Sequence, residues 1–218
     1  MSLTAGTSAR AELIVKTSAM LALQDEMNSR VDPDWQARAR AWYRAIWIEC
    51  AELMDHYGGW KWWKSSPQDV EQAMLEIVDI WHFGLSIRIR PDRDHARAAA
   101  AIVEEWLQPQ PSQGFLRDVE TLAQHALGTH DFLVAMVPPL LQDIGRDFEA
   151  LYRAYIGKNV LNFFRQDHGY KAGTYHKIWH GREDNAHLIE VLSELDSNAS
   201  DFREMVYHAL EARYPLAT

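Results

Sequence analysis

The sequence predicts an all-α fold, and three observations carry that prediction. Apolar residues recur at helical spacing through most of the chain, and the alternating β-branched runs that mark half-buried strands are nearly absent. Glycine and proline sit where helices should stop or start, at Gly58-Gly59, Pro67, Pro91, Pro109, Pro111 and Pro138-Pro139. The 218 residues are 47% hydrophobic and 24% charged, enough to bury one large core and unlike disordered or collagen-like chains.

In chain order, the first helix is expected over 11–29. The second is expected from Trp35 to His56, ended by Gly58-Gly59. The third begins near Pro67, with Ser65 or Ser66 as N-cap and Asp69 and Glu71 favourable to the helix dipole. It runs through Ser86 and stops before Pro91. Signals weaken over 92–145, where helical stretches at 94–106 and beyond alternate with Pro and Gly, so this section is a candidate mobile helical lobe within a single domain spanning 1–218. A helix at 147–165, a Gly- and aromatic-rich loop at 168–181, and helices near 183–195 and 199–213 complete the reading.

Charge and cysteine content exclude several classes. Lys and Arg number 22 against 31 Asp and Glu, and a net charge of −9 argues against a general nucleic-acid-coating protein. No apolar run approaches the roughly 18 residues a membrane span needs. A lone cysteine, Cys50, forms neither an internal disulfide nor a multi-Cys zinc site, and the first residues do not read as a secretory signal, so a cytoplasmic location is expected.

The chemistry concentrates in four carboxylates. Glu49 and Glu52 lie one turn apart on the second helix, Glu76 and Asp79 one turn apart on the third. Glu49 shares its stripe with Trp42, Ala45, Ile46 and Leu53, and Glu76 shares its own with Ala73, Ile80, Phe83 and Ile87. An unpaired ionised carboxylate in such company costs several kcal/mol. Between 45 and 83 the only Lys or Arg residues are Lys61 and Lys64, both in the connecting loop. Four carboxylates make an all-oxygen site suited to Mg²⁺, or Mn²⁺, and two or more ions balance the charge better than one. A di-iron centre would want Glu-x-x-His on two helices, and here only Asp79-Ile-Trp-His82 approaches that form. The loop Trp60-Lys61-Trp62-Trp63-Lys64 serves either as a packing plug, at a subunit contact, or as a source of lysines for phosphate oxygens.

Downstream, residues 150–182 carry Arg153, Lys158, Arg165, Lys171, Lys177 and Arg182 against a single acid, Asp167, a local excess of five positive charges. Asn159, Asn162, Tyr170 and Tyr175 are interleaved with four glycines. Acids for a metal and bases for phosphate together imply a metal-dependent enzyme acting on a nucleotide or another polyphosphate.

These motifs resemble those of a known family. Gln24-Asp-Glu-Met-Asn28, Glu49-x-x-Glu52, Asp55-His-Tyr-Gly-Gly-Trp-Lys-Trp-Trp-Lys64, Glu76-Ile-Val-Asp79 with His82-Phe83, Gly157-Lys-Asn-Val-Leu-Asn-Phe-Phe-Arg165, and Gly169-Tyr-Lys to Arg182-Glu-Asp-Asn185 are similar, in order, to the dimeric all-α dUTP diphosphatases of the helical nucleoside triphosphate pyrophosphatase superfamily. The resemblance implies a helical bundle of that type, a homodimer, and Mg²⁺-dependent hydrolysis of dUTP, and also dUDP, to dUMP, which keeps uracil out of DNA. It implies Glu49, Glu52, Glu76 and Asp79 as metal ligands. Gln24, Asn28, Trp60 and Asn162 would line the uracil and deoxyribose pocket, with His82 and Phe83 beside it. Lys158, Arg165, Tyr175, Lys177 and Asn185 would approach the phosphates. A carboxylate beside a metal-activated water can take its proton, with Glu52 the first choice of base and Glu49 the second. Two other readings remain at this stage: a related pyrophosphatase preferring dCTP or a broad range of nucleotides, and a non-catalytic helical interaction module.

Overall fold

The computed structural model describes residues 3–196, 199 and 201–215, with side chains from residue 7 onward. Nine α-helices are found among the described residues, and the only strands there are two of two residues each. The all-α expectation therefore holds. The chain divides into two compact units, Met1–Tyr152 and Arg153–Thr218.

The first unit is built on α1 (Leu3–Val31), α2 (Trp42–Tyr57) and α3 (Val70–Arg88). Helix α2 packs against α3, with Ile46, Leu53, Leu75, Ile77 and Trp81 fully buried. It ends where glycine was expected to end it: Gly58 has φ 77°, and its N–H donates to the Met54 carbonyl. Helix α3 begins later than the proline suggested. Asp69, not Ser65 or Ser66, is the cap, its carboxylate accepting from the Gln72 N–H at 3.1 Å. The backbone N–H of Asp69 also donates to the His56 carbonyl, which fixes the start of α3 to the end of α2.

The expected second helix from Trp35 is likewise shortened. Residues 33–39 form turns, with Ala39 at φ 44°, and Asp32 pairs with Arg38 and Arg40. Trp35 is buried and gives its indole N–H to Asp25 at 3.1 Å, so the tryptophan serves as a tertiary anchor rather than as the first turn of α2.

Helices α4 (His95–Trp106), α5 (Phe115–Thr129) and α6 (Val137–Asp143) lie in the section read as a candidate lobe. In the structure α4 packs on α1 and α5 on α2, where Tyr57 and Phe115 stack with ring centroids 3.7 Å apart. The residues of 92–145 thus belong to the same compact unit as α1–α3. Gly84 shows how closely this packing is drawn. A Cβ there would lie 2.3 Å from the Phe132 ring, so only glycine admits that side chain to α3.

Helix α7 (Phe148–Asp167) contains the boundary between the units. In the second unit it is followed by α8 (Asp184–Glu194) and α9 (Phe202–Glu211), which pack on each other. Part of the loop expected at 168–181 forms a tight antiparallel pair, β1 (Ile178–Trp179) with β2 (Arg182–Glu183). The turn between them, His180-Gly181, has φ of 49° and 83°, the sign a two-residue hairpin requires. Trp179 is fully buried among Phe164, Tyr175, His187 and Tyr214.

Candidate active site

In the first unit the α2–α3 contact brings carboxylates together. Ligand atoms of Glu49, Glu76 and Asp79 all lie within 4.8 Å of one another, and Glu76 is 4% exposed. The predicted fourth acid, Glu52, is exposed and stands outside this convergent set. His56 approaches the cluster, its Nε2 3.5 Å from Glu76 Oε1. Three oxygen donors this close, one of them buried, fit a hard divalent cation that would relieve their mutual repulsion.

Trp60 and Lys61 are held by Asp55. The Trp60 indole donates to Asp55 at 3.1 Å, Lys61 pairs with the same carboxylate, and the Lys61 ammonium lies 4.8 Å from the Trp60 ring centroid. The hydrogen bond from Lys61, aided by that from Trp60, holds the Asp55 carboxyl below its ordinary pKa. The segment is thus a self-contained staple, and the lysine expected near phosphate has a carboxylate partner.

Gln24, Asn28 and His82 form one buried polar cluster between α1 and α3. Gln24 Oε1 lies 2.6 Å from His82 Nδ1, and Gln24 Nε2 donates to Asn28 Oδ1 at 3.0 Å. A fourth member, Ser86, went unmarked in the sequence and accepts from both amides. Phe83 stacks on Trp42, with centroids 6.1 Å apart.

The second unit gathers the predicted phosphate residues around Asp184, which is fully buried. Arg165 grips it with two donors, Nε at 2.8 Å and an Nη at 2.9 Å, and its other Nη donates to Asn162 Oδ1 at 3.1 Å. The Tyr175 hydroxyl donates to Asp184 at 2.8 Å, and Lys158 donates to Asn185 at 3.1 Å. Burial alone would raise the Asp184 pKa, but Arg165 and Tyr175 overcome it and hold the carboxyl below its ordinary value. Burial, with the adjacent Asp184 charge, pushes the Tyr175 hydroxyl well above its ordinary pKa. Burial disfavours the Lys177 ammonium, yet its ion pair with Glu183 at 3.0 Å leaves the pKa raised. Lys158, Asn162, Arg165, Tyr175 and Asn185 are therefore brought together, while Lys177 pairs at the hairpin.

Asp184 stood in the quoted motif without a role. Its spacing to Arg165 gives no sign that the two form a fork, because the pair spans two elements. Gly157 prepares this site: a Cβ there would lie 2.6 Å from Leu192, so its absence lets α8 dock on α7.

Carboxylates converging for a cation and a basic, amide-rich network in the downstream segment are the parts expected of a nucleotide pyrophosphohydrolase. The sequence profile of the dUTPase family matches residues 16–170, more than half of the chain. The chain belongs to the dimeric all-α dUTPase family. It is accordingly a dUTP diphosphatase, an enzyme of nucleotide metabolism that hydrolyses dUTP. No curated protein matches the sequence. The family match includes α2, α3 and most of α7, and ends before Tyr175, Asp184 and Asn185. Among the described residues no helix is long and apolar enough to cross a membrane.

Proposed function

We propose that this dUTPase requires Mg²⁺, with Mn²⁺ as a substitute, and hydrolyses both dUTP and dUDP to dUMP in the cytoplasm as a homodimer. The observation that carries the metal requirement is the convergence of Glu49, Glu76 and Asp79 within 4.8 Å. A divalent ion bound there supplies Lewis acidity, drawing charge from phosphate oxygens and lowering the pKa of a coordinated water. Two or more ions match the four acids, with Glu52 closing the set on one side. As an exposed carboxylate one turn from Glu49, Glu52 is also the group that takes the proton from the attacking water, and Glu49 is the alternative.

The chain's other residues bind and orient. Arg165, Lys158, Lys177, Tyr175 and Asn185 offer donors to phosphate oxygens, and Lys61 can add its charge when it leaves Asp55. Gln24, Asn28, His82, Phe83, Trp60 and Asn162 contact the base and deoxyribose. The single buried cysteine suits a reducing cytoplasm. The strongly exposed Trp62 and Trp63 support a subunit contact.

The test is phosphate or diphosphate release from dUTP, dUDP, dTTP, dCTP, UTP and dATP, each with and without Mg²⁺, for the wild type and Glu76→Gln. Turnover of dUTP and dUDP only with Mg²⁺, and none from a folded Glu76→Gln, is the expected result. Equal turnover in EDTA, or ordinary activity in the variant, would remove the metal assignment.

A further inference from the structure

Helix α1 places Gln24 and Asn28 one turn apart, and α3 places His82 and Ser86 one turn apart against them; exposures are 4%, 6%, 4% and 3%. Ser86 has a single hydrogen, and its hydroxyl donates it to the His82 carbonyl at 3.0 Å, an atom that can only accept. The Ser86 oxygen is then left as a pure acceptor. Both amides lie at hydrogen-bond distance from it, Gln24 Nε2 at 3.1 Å and Asn28 Nδ2 at 3.0 Å, so each must turn its NH₂ group toward Ser86. The second N–H of Gln24 goes to Asn28 Oδ1 at 3.0 Å, and Gln24 Oε1 faces His82 Nδ1, which carries the proton.

Within these four side chains Gln24 uses all its donors. Asn28 keeps one N–H and one lone pair of Oδ1, presented side by side in a fixed order. Uracil offers N3–H beside a carbonyl, which such an amide pairs with; cytosine offers the reverse, an N3 acceptor beside an amine. Turning the Asn28 amide over would therefore read cytosine.

The contacts among Gln24, Asn28 and His82 Nδ1 can be remade with both amides reversed. With both amides flipped, Asn28 Nδ2 would donate to Gln24 Oε1, and Gln24 Nε2 would donate to the other tautomer of His82. Ser86 objects, because its oxygen would face two carbonyl oxygens with one hydrogen to share, and the other tautomer of His82 would move its ring hydrogen to the buried Nε2.

We propose that Ser86 is a positioning residue that selects between these two networks and so sets the preference for uracil over cytosine. The inference rests on the reading above that Gln24 and Asn28 meet the base. Removing the hydroxyl lifts the clash of oxygens at Ser86, so the base-reading amide samples the reversed order more often.

The experiment compares kcat and KM for dUTP and dCTP in the wild type, Ser86→Ala and Asn28→Ala, with folding checked by circular dichroism. For Ser86→Ala the dUTP:dCTP ratio of kcat/KM is expected to fall about tenfold, through a higher KM for dUTP and a lower KM for dCTP, with kcat for dUTP changing less. Should Ser86→Ala fail to fold, Ser86→Cys keeps the volume with only a weak acceptor, and the same fall is expected. A folded Ser86 variant with the wild-type ratio overturns the proposal. If Asn28→Ala collapses the ratio while the Ser86 variants leave it intact, Asn28 reads the base but Ser86 does not orient it. If Asn28→Ala also leaves the ratio intact, the base-reading assignment itself is wrong.

Discussion

Asp184 shows how one buried carboxylate can organise several basic and polar groups. It receives both donors of the Arg165 fork and the Tyr175 hydroxyl, and it opens α8, where the helix dipole favours a negative charge. Removing one member of a buried ion pair strands the other, at a cost of about 3 to 5 kcal/mol. Asp184→Asn is therefore expected to destabilise the protein strongly at neutral pH. The sign of the pH dependence follows from the depressed pKa. The stabilisation is complete above the ordinary carboxyl value of 3.8 and is lost as the pH falls through the lower folded value. Denaturant midpoints of wild type and Asp184→Asn should thus differ at pH 7 and draw together as the pH falls below 3.8 toward the lower folded value. A gap that is constant across this range would show that Asp184 contributes shape rather than charge. Cys50, by contrast, is a packing residue: burial, with the Glu49 charge, pushes its thiol up to about 12, which leaves almost no thiolate at neutral pH.

At the scale of elements, helix ends and close approaches decide where the site residues fall. The start of α3 is set by Asp69 and its bond to the end of α2, and this register brings Glu76 and Asp79 opposite Glu49. Gly84 sits one turn beyond Ile80 on the same helix and accepts the Phe132 ring. Gly84→Ala is expected to cost about 1 to 3 kcal/mol, because a rigid ring must be displaced from a packed core. Gly128→Ala is the matched control. That glycine lies near the end of α5 with nothing within 4 Å of a built Cβ, so alanine there should stabilise by about 0.4 to 1 kcal/mol. Chemical denaturation of both variants checks the pair, and equal effects would mean that packing at Phe132 is loose.

At the scale of the whole molecule, each unit carries its own share of the chemistry: carboxylates and the buried amide cluster in Met1–Tyr152, the Arg165–Asp184 network in Arg153–Thr218. The first unit also exposes Trp62 by 87% and Trp63 by 59%, in a loop whose other indole is stapled by Asp55. Two indoles left in water are a natural contact for a second copy of the chain. Light scattering after size exclusion is expected to give twice the monomer mass for the wild type and to shift toward monomer when Trp62 and Trp63 are both changed to Ser. A double variant that stays dimeric would place the interface elsewhere.

The sequence by itself determined the fold class and the order of the helices and marked the paired acids of α2 and α3, because helical periodicity and one-turn spacing are local properties that neighbouring residues enforce; that Glu49, Glu76 and Asp79 converge is decided by the packing of α2 on α3. The motifs also carried the family, since Trp60-Lys61-Trp62-Trp63-Lys64 and Lys158-Asn-Val-Leu-Asn-x-x-Arg165 combine side chains that packing alone does not require. Tertiary structure decided the rest. Trp35 leaves the expected second helix because Asp25 offers its indole a buried partner, Glu52 is exposed where Glu49 is half-buried, and α4 and α5 join the first unit because their apolar faces find α1 and α2. Ser86 and Asp184 acquire their roles only when separate elements meet: a serine with one hydrogen and an aspartate with no solvent are ordinary residues until their partners, distant in the chain, fix what they can donate or accept.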